Sequence, residues 1–391
     1  MKVLMCHNYY QNRGGEDEVF EIEGELLRKH GHQVVQHTVH NDTIKQNNKL
    51  VTGLGAIWNQ AANNKMKALI REEQPDLVHF YNTFPLFSPS VYYAVKKAGL
   101  PLVQSLHNYR LLCLNATFYR DGSICEDCLG KTLSLPGIRH ACYHNSHLRS
   151  ASVAGMHITH RILKSWHRKV DLFLLGSTRF ALDKFVQGGF SEDAFILKPN
   201  FVFPDPGVGE GKGAYVLFVG RFDETKGIDD LLSAWQSPTL TIPLKIVGDG
   251  PMLPEVRKSV QQLKHVDLLG RKSLTEMYEL MKNARFLVFP SRWYEAMPRT
   301  IIDSLAVGTP VCAADTGAMR DLIEDERSGL LFTPGDVNDL ERKVRYLFEQ
   351  PQLTEEMRSY ARQSYLKNFT AERNYDLIMQ AYQLAAGRNR V

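Results

Sequence analysis

The sequence lacks long hydrophobic runs and carries no large excess of either charge. Among its 391 residues, no apolar stretch reaches the roughly 18 residues that a membrane-spanning helix requires. The first residues, Met1–His7, become polar too early for a secretory signal. Apolar residues make up 43% of the chain and charged residues 23%, which excludes disordered and fibrous classes. We therefore expect a soluble, cytoplasmic protein with about two domains.

The net charge of +4 is modest, and the chain has no cluster of arginines interleaved with aromatic residues. Both observations argue against a nucleic-acid partner. The charge is unevenly divided, since residues 1–199 hold 23 Lys/Arg and 17 Asp/Glu, whereas residues 200–391 hold 24 and 26. The basic first half is expected to face something anionic.

Short apolar strands alternate with segments of helical periodicity along most of the chain. Strands that are apolar at consecutive positions are typical of sheets covered on both faces, so they predict two doubly wound parallel sheets of the α/β class. Residues 198–213 are rich in Gly and Pro and lack periodicity, which indicates a linker. The predicted strands are Lys2–His7, Gln33–Val39, Asp76–Tyr81, Pro101–His107 and Asp171–Ser177, then Tyr215–Arg221, Leu244–Gly248, Asp267–Gly270, Arg285–Ser291, Pro310–Ala314 and Leu330–Thr333.

Two cations follow the first strand of the second half. Arg221 ends that strand after Gly220, and Lys226 stands just before the next predicted helix. Fixed cations beside a helix N-terminus favour a diphosphate. Two solvated turn residues would give the same pattern.

The turn Gly248-Asp249-Gly250-Pro251 closes the next strand. It invites comparison with the dinucleotide-binding fingerprint, but Leu253 occupies the position of the third glycine, which argues against NAD. The turn more plainly permits a close approach of the backbone to a ligand.

Two acids flank the start of a later helix. Glu295 lies in the loop before Pro298, and Asp303 lies in the second helical turn. Acids at these positions can reach different parts of one ligand. The alternative is an acid that complements the helix dipole together with a surface Asp.

The first half offers two weaker signals. Gly14 and Gly15 follow the first strand and open a helix, which suits an anion or a sugar but is also typical of a plain tight turn. His107 ends the fourth strand, where ligands of such sheets bind, although a lone histidine is often structural.

Together and in this order, these motifs resemble glycosyltransferase family 4, whose members have the GT-B fold. The resemblance spans nearly the whole chain and includes Ser328–Leu331. It implies two Rossmann-like domains facing across a cleft. Residues 1–199 would bind the acceptor and carry a Cys-containing insertion near 113–142, residues 200–370 would bind the donor, and residues 371–391 would form a helix crossing back to the first domain.

The resemblance also implies a role for each motif. Arg221 and Lys226 would neutralise the departing diphosphate, and Glu295 would contact the donor sugar. Asp303 stands where the family usually has a Glu for the ribose and is one methylene shorter. His107 would face the transferred sugar. The donor-binding set would be Gly14, Gly15, Gly220, Gly248, Asp249, Gly250, Pro251 and Asp303.

The implied activity is that of a retaining glycosyltransferase of the hexosyltransferase type (EC 2.4). It would move a sugar from a UDP- or GDP-linked donor to a glycan or polyprenyl-linked acceptor in cell-envelope polysaccharide biosynthesis. Family members usually need no divalent metal, and no cofactor is expected for catalysis. The alternatives are a non-catalytic scaffold on the same fold and a sugar-nucleotide epimerase or hydrolase.

Four of the six cysteines lie within 30 residues. Cys113, Cys125, Cys128 and Cys142 have the number and chemistry of a structural zinc site. Free thiols are an equally good interpretation, and redox pairing is a third, since lasting disulfides are uncommon in the cytoplasm.

No acidic residue occurs between Leu129 and Val170. Residues 139–169 combine six Lys/Arg with Ile162, Leu163 and Trp166, a composition that suits contact with anionic lipid headgroups. This predicts peripheral attachment at the inner face of the plasma membrane. A solvated basic helix packed by its apolar side is the alternative.

Overall fold

The protein is described by a computed structural model that covers residues 1–46 and 49–389. The chain divides into two compact units. Unit 1 comprises Met1–Phe118, Glu126–Pro199 and the chain from Asn374 onward. Unit 2 comprises Tyr119–Cys125 and Asn200–Arg373. Within the described residues, no helix has both the length and the apolar character needed to cross a membrane.

Unit 1 is built on a six-stranded parallel sheet in the order β2-β1-β3-β4-β7-β8. Its central strands are buried along their whole length, as their consecutive apolar residues predict. The first half of the chain contains β1 (Lys2–Tyr9), α1 (Gly15–Lys29), β2 (Gln33–His40), α2 (Lys49–Ile57), α3 (Gln60–Glu73), β3 (Leu77–Phe80), α4 (Ser90–Lys97), β4 (Leu102–Leu106), β5 (Tyr119–Arg120), β6 (Ser123–Ile124), α5 (Leu135–Arg139), α6 (His147–Ile162), α7 (Ser165–Lys169), β7 (Leu172–Leu175), α8 (Arg179–Gln187) and β8 (Phe195–Leu197).

Unit 2 is built on a second six-stranded parallel sheet in the order β11-β10-β9-β12-β13-β14. Its apolar side chains form clusters on both faces of the sheet, centred on residues such as Phe218 and Leu287. The second half of the chain contains β9 (Val216–Val219), α9 (Ile228–Trp235), β10 (Leu244–Val247), α10 (Leu253–Val260), β11 (Val266–Gly270), α11 (Leu274–Asn283), β12 (Leu287–Phe289), α12 (Arg299–Ala306), β13 (Val311–Ala314), α13 (Met319–Leu322), β14 (Gly329–Phe332), α14 (Val337–Glu349), α15 (Pro351–Asn368) and α16 (Ala371–Arg388).

Each sheet has a point at which its strand order reverses. In unit 1 the reversal lies between β1 and β3, and in unit 2 it lies between β9 and β12. Ligands of open α/β sheets bind beyond the carboxyl ends of the strands at such a point. The loops after β9 and β12 contain Arg221, Lys226 and Glu295, so three predicted site residues meet this rule.

Along the chain, the boundary between units 1 and 2 falls between Pro199 and Asn200, inside the predicted linker. Helix α16 contributes Ile378 and Tyr382 to the core of unit 1. The last residues of the predicted 371–391 segment, 390 and 391, lie outside the described residues. One detail differs from the predicted division: the β5–β6 hairpin groups with unit 2, because Gly122 lies against Glu224.

Candidate active site

Lys226 and Glu295 form an ion pair at the strand-order reversal of unit 2. The ammonium group donates to Glu295 Oε1 and lies 5.7 Å from the ring centre of Phe289 and 5.4 Å from that of Trp293. The aromatic rings favour the cation and restrict its position. The Lys226 side chain keeps 21% of its surface exposed, so its remaining protons can reach a ligand.

Glu295 is held from the strand end as well as from the lysine. Its residue surface is only 6% exposed, and Ser291 Oγ donates to the same Oε1 atom at 2.9 Å. Both of these hydrogen bonds are made to Oε1. A carboxylate that is fixed through one oxygen can accept a hydrogen bond from a ligand hydroxyl through the other.

The loops carrying these two side chains are tied together. Gly227 adopts a φ of 63°, and a Cβ there would lie 2.0 Å from the Pro290 carbonyl oxygen, so only glycine fits. The amide of Arg292 donates to the carbonyl of Thr225 at 2.9 Å. The Arg292 guanidinium also binds both oxygens of Asp230, and this contact raises the pKa of Arg292. These contacts fix the position of Lys226 relative to Glu295.

Arg221 lies beside this pair in sequence but is held much less firmly. Its side chain is 62% exposed, and its Nε lies 3.4 Å from Asp223 Oδ2. A long exposed cation of this kind can swing toward an arriving anion.

The glycine turn after β10 packs against the loop that contains Arg221. A Cβ at Gly248 would lie 1.9 Å from the carbonyl oxygen of Gly220, and one at Gly250 would lie 2.4 Å from that of Phe222. The carbonyl of Asp249 accepts the Phe222 amide at 2.9 Å. The close approach made by this turn is therefore to the protein's own backbone, and it shapes the Arg221 loop.

Asp303 is buried rather than on the surface, contrary to the alternative interpretation of the sequence. Only 3% of its surface is exposed. The Tyr278 hydroxyl donates to Oδ1 at 2.9 Å, and Arg299 Nε lies 3.7 Å from Oδ2. Burial and, after it, the charge of Asp303 raise the pKa of Tyr278. Asp303 and Glu295 thus lie on the same helix-and-loop segment but are held by different partners.

In unit 1, Gly14 caps α1 and Gly15 begins it. Asp17 fixes this end of the helix, since Oδ2 accepts the Gly14 amide at 2.9 Å and Oδ1 lies 2.7 Å from Nε2 of the buried His7. A Cβ on either glycine would meet no atom within 4 Å. The glycines therefore leave open space at a helix N-terminus.

His107 follows β4 and has an unusual environment. Both of its ring nitrogens are buried, and neither has a hydrogen-bond partner within the described residues. Burial, Lys198 and His7 hold its pKa well below the ordinary value, so the ring is neutral at pH 7. Gly176 makes room for it, because a Cβ there would lie 2.3 Å from Nδ1. Such a ring can exchange a hydrogen bond with a ligand.

The sequence analysis missed a polar group formed by Tyr10, Glu16 and Asn108, of which Asn108 follows His107 in the chain. Tyr10 donates to Glu16 Oε2 at 2.6 Å, and the Asn108 side-chain amide lies 3.3 Å from the Tyr10 hydroxyl. Burial raises the pKa of Glu16. Ser291, Trp293 and Tyr278 were missed in unit 2. The aromatic, polar run before Glu295 signals the first two, whereas no local pattern indicates Tyr278.

The cysteine cluster was predicted to hold zinc, but the described residues contain no group of three or more His, Cys, Asp or Glu that could hold a metal ion. Cys125 belongs to unit 2, while Cys113, Cys128 and Cys142 belong to unit 1. The zinc site predicted from the cysteine spacing is therefore not confirmed.

Comparison with known proteins places a family over the second half of the chain. Residues 205–364 match the model of the glycosyl transferases group 1 family. Among curated proteins, an uncharacterized glycosyltransferase of Methanocaldococcus jannaschii is 30% identical over 176 residues, which is 44% of this chain and 49% of that protein. The O-antigen chain mannosyltransferase C of Escherichia coli is 30% identical over 172 residues, 43% of this chain and 46% of that protein. The chain thus matches these relatives over about half their length.

Solved structures resemble the chain along nearly its whole length. Anabaena HepE in complex with UDP gives a TM-score of 0.69 at 18% identity, covering 98% of this chain and 100% of that one. Sucrose-phosphate synthase from Thermosynechococcus elongatus gives 0.68 at 17% identity, covering 98% of both chains. At this identity the likeness establishes the fold. The predicted GT-B class of two Rossmann-like domains is confirmed. The match to the group 1 glycosyl transferases is limited to residues 205–364 and is compatible with the resemblance to glycosyltransferase family 4.

Proposed function

We propose that this protein is a retaining glycosyltransferase of the hexosyltransferase type. It transfers a sugar from a UDP- or GDP-linked donor to a glycan or lipid-linked glycan of the cell envelope. The observation that carries the proposal is the Lys226–Glu295 pair at the strand-order reversal of unit 2, inside the residues that match the group 1 family. The relatives support the direction of the proposal, since one is named for O-antigen mannosyl transfer and a structural neighbour was solved with UDP.

The chemistry of Lys226 suits the departure of a nucleoside diphosphate. Breaking the bond between the sugar and the phosphate builds negative charge on phosphate oxygens. An ammonium group that is already positioned can stabilise this charge without reorganising. Arg221, exposed on the neighbouring loop, supplies a second cation once the anion is bound.

We assign Glu295 and Asp303 to the two parts of the donor on either side of the diphosphate, the sugar and the ribose. Glu295 is assigned to the donor sugar, because its carboxylate can accept a hydrogen bond from a sugar hydroxyl. Asp303 is assigned to the ribose, and the Tyr278 and Arg299 contacts fix its shorter side chain. In unit 1, His107 and the Gly14–Gly15 helix end are assigned to sugar recognition. The nucleotide would be bound without a metal ion.

The proposal is tested by product analysis with radiolabelled UDP-glucose and GDP-mannose, each with and without a total bacterial lipid and glycan extract. We expect label to enter the extract from one donor, in wild type and in Glu255→Ala but not in Glu295→Ala. Glu255 is a matched control because it is an exposed acid on α10 of the same unit.

The other outcomes separate the alternatives. Release of free sugar that is independent of the extract would indicate a hydrolase, and a changed sugar still attached to the nucleotide would indicate an epimerase. Nucleotide binding without turnover of either donor would favour a scaffold. Anomeric analysis of the product by NMR tests retention, and an inverted linkage would contradict that part of the proposal.

A further inference from the structure

Three loops of unit 1 leave the carboxyl ends of neighbouring strands. Tyr10 follows β1, Phe84 lies in the loop after β3, and Asn108 and Arg110 lie in the loop after β4. The strand order of this sheet reverses between β1 and β3. Open α/β sheets bind ligands beyond the carboxyl ends of their strands at such a point. This edge of unit 1 is therefore a candidate ligand site of its own.

Asn108 links the loops after β1 and β4. Its side-chain nitrogen lies 3.3 Å from the Tyr10 hydroxyl and 3.5 Å from Glu16 Oε2, the same oxygen that accepts the Tyr10 hydroxyl at 2.6 Å. Its side-chain oxygen accepts the backbone amide of Arg110 at 2.9 Å. Both ends of one side chain are engaged, so the backbone of Arg110 is fixed relative to Tyr10 and Glu16.

A buried histidine also holds the backbone of Arg110. His157 is fully buried, and its Nε2 lies 2.6 Å from the Arg110 carbonyl oxygen. Because a carbonyl oxygen can only accept a hydrogen bond, Nε2 carries the proton. Burial lowers the pKa of His157 to about 3, so the ring is neutral at pH 7 and adds no charge beside Arg110.

The half-buried Arg110 side chain contacts two aromatic rings. Its Cζ atom is 4.9 Å from the ring centre of Phe84 and 4.8 Å from that of Tyr143. The rings favour the cation and restrict the orientation of its plane. Nη1 donates to the carbonyl of Leu114. A guanidinium has five N–H donors, so this contact leaves donors that a ligand can use.

The charges around Arg110 favour a negatively charged ligand. The carbonyl that accepts its hydrogen bond is neutral, and burial raises the pKa of Glu16 more than the charge of Arg110 lowers it. Arg149 is a second cation in this region, because burial and then the charges of Arg149 and Arg110 lower the pKa of His144. Residues 129–170, which include Tyr143 and Arg149, contain no Asp or Glu. A bound oxyanion would compensate this positive charge.

We propose that Tyr10, Glu16, Asn108 and Arg110, which we call the Arg110 site, bind an acceptor that carries an oxyanion next to its sugar. The oxyanion is a phosphate or a carboxylate, either of which matches the planar fork of Arg110. Glu16 and Asn108 form hydrogen bonds with hydroxyl groups of the adjoining sugar. The term acceptor rests on the proposed transferase function, whereas the binding of an oxyanion at Arg110 does not.

The first test measures binding without transfer. Inorganic pyrophosphate and methyl glucuronide are titrated by calorimetry, in EDTA, into a protein carrying Arg221→Ala and Lys226→Ala, which weakens the diphosphate site of unit 2. We expect one of these anions to bind, and methyl glucoside, the neutral counterpart of methyl glucuronide, to bind at least about tenfold more weakly. The anion that binds identifies the acceptor group as phosphate or carboxylate.

Further substitutions in this background assign the binding to Arg110. Adding Arg110→Gln should lower the affinity at least about tenfold, and adding Arg110→Lys, which keeps the charge but not the fork, about 3- to 10-fold. Arg139→Gln is the matched control, because Arg139 is an exposed arginine on α5 within the same acid-free segment. Unchanged circular dichroism shows that each variant is folded. Binding of neither anion, full binding in Arg110→Gln, or an equal loss in Arg139→Gln would overturn the proposal.

A second test separates this proposal from the proposed function. In the transfer assay, Arg110→Gln should raise the amount of extract needed for half-maximal transfer about tenfold or more and leave the affinity for UDP and GDP unchanged. The labelled product should be retained by an anion-exchange column. Anion binding that depends on Arg110, without transfer by wild type, would contradict the proposed function and leave the Arg110 site in place. Transfer into an uncharged product, with the same requirement for extract in Arg110→Gln, would overturn the Arg110 site and leave the transferase in place.

Discussion

The two units share a sheet architecture but differ in the charge state of the ionisable side chains at their strand ends and in their cores. Thirteen of the fourteen histidines lie in the first 199 residues, and several are buried without charge in unit 1. In unit 2, a lysine and a glutamate face each other at the strand-order reversal. A fixed ion pair suits a ligand part of constant charge, such as a diphosphate. Neutral, hydrogen-bonding groups suit a sugar or its hydroxyls, whose recognition does not depend on charge.

The largest expected effect comes from removing the carboxylate of unit 2. Glu295→Gln should lower transfer about 10³-fold, because the amide cannot pair with Lys226 or support developing positive charge on the sugar. The control Glu255→Gln should retain full activity. Steady-state transfer rates measure the difference, and equal rates in both variants would remove Glu295 from the site.

Unit 1 contains a buried ion pair of a different kind. Glu23 and Lys198 are both fully buried, and Asn374 and Tyr81 also donate to Glu23. Glu23→Gln should lower the free energy of unfolding of unit 1 by about 3–5 kcal/mol, since it leaves Lys198 without a counter-charge. Glu21 lies on the same helix as Glu23 and forms an exposed pair with Arg13. Glu21→Gln should change the free energy of unfolding by about 1 kcal/mol or less.

Denaturant unfolding followed by hydrogen exchange distinguishes the two units. The loss should be confined to unit 1 and α16. An equal loss from Glu21→Gln would show that the buried pair has no special role.

The position of His107 is open to a steric test. Gly176→Ala should displace the ring and lower transfer by up to about 10²-fold, while nucleotide affinity stays within about twofold of wild type. Gly387→Ala is the control, because nothing lies within 4 Å of a Cβ there. A parallel loss of nucleotide binding would mean that the substitution disturbs unit 2 and does not report on His107.

The smallest effect is on the pH dependence of stability. Burial lowers the pKa of His157 to about 3, and it also lowers the pKa of His79. Below about pH 6.5 these rings stay neutral in the folded state but take up a proton on unfolding. Their contribution to the free energy of unfolding is therefore complete only above about pH 6.5. Each pH unit below that value should cost unit 1 about 1.4 kcal/mol per such histidine until the folded pKa is reached.

Hydrogen exchange at pH 7 and pH 5.5 checks this prediction. Unit 1 should open more readily at the lower pH, whereas unit 2, whose sole histidine is His265, should change little. An equal change in the two units would contradict it.

Local patterns were enough to locate both sheets and most strand ends. The positions of Arg221 and Glu295 after strands could be predicted because a strand end is visible as the stop of an apolar run. The burial of Asp303 could not, since Tyr278 reaches it from another helix. The packing of Gly248 on Gly220 depends on which strands are neighbours, so no local pattern predicts it.

The most direct test of the account is calorimetric titration of UDP and GDP, in EDTA, into wild type, Lys226→Ala and Lys258→Ala. We predict that one nucleotide binds wild type and Lys258→Ala equally and binds Lys226→Ala about 10- to 100-fold more weakly, with a smaller loss in Arg221→Ala. Unchanged affinity in Lys226→Ala would show that the nucleotide does not bind at the strand-order reversal of unit 2.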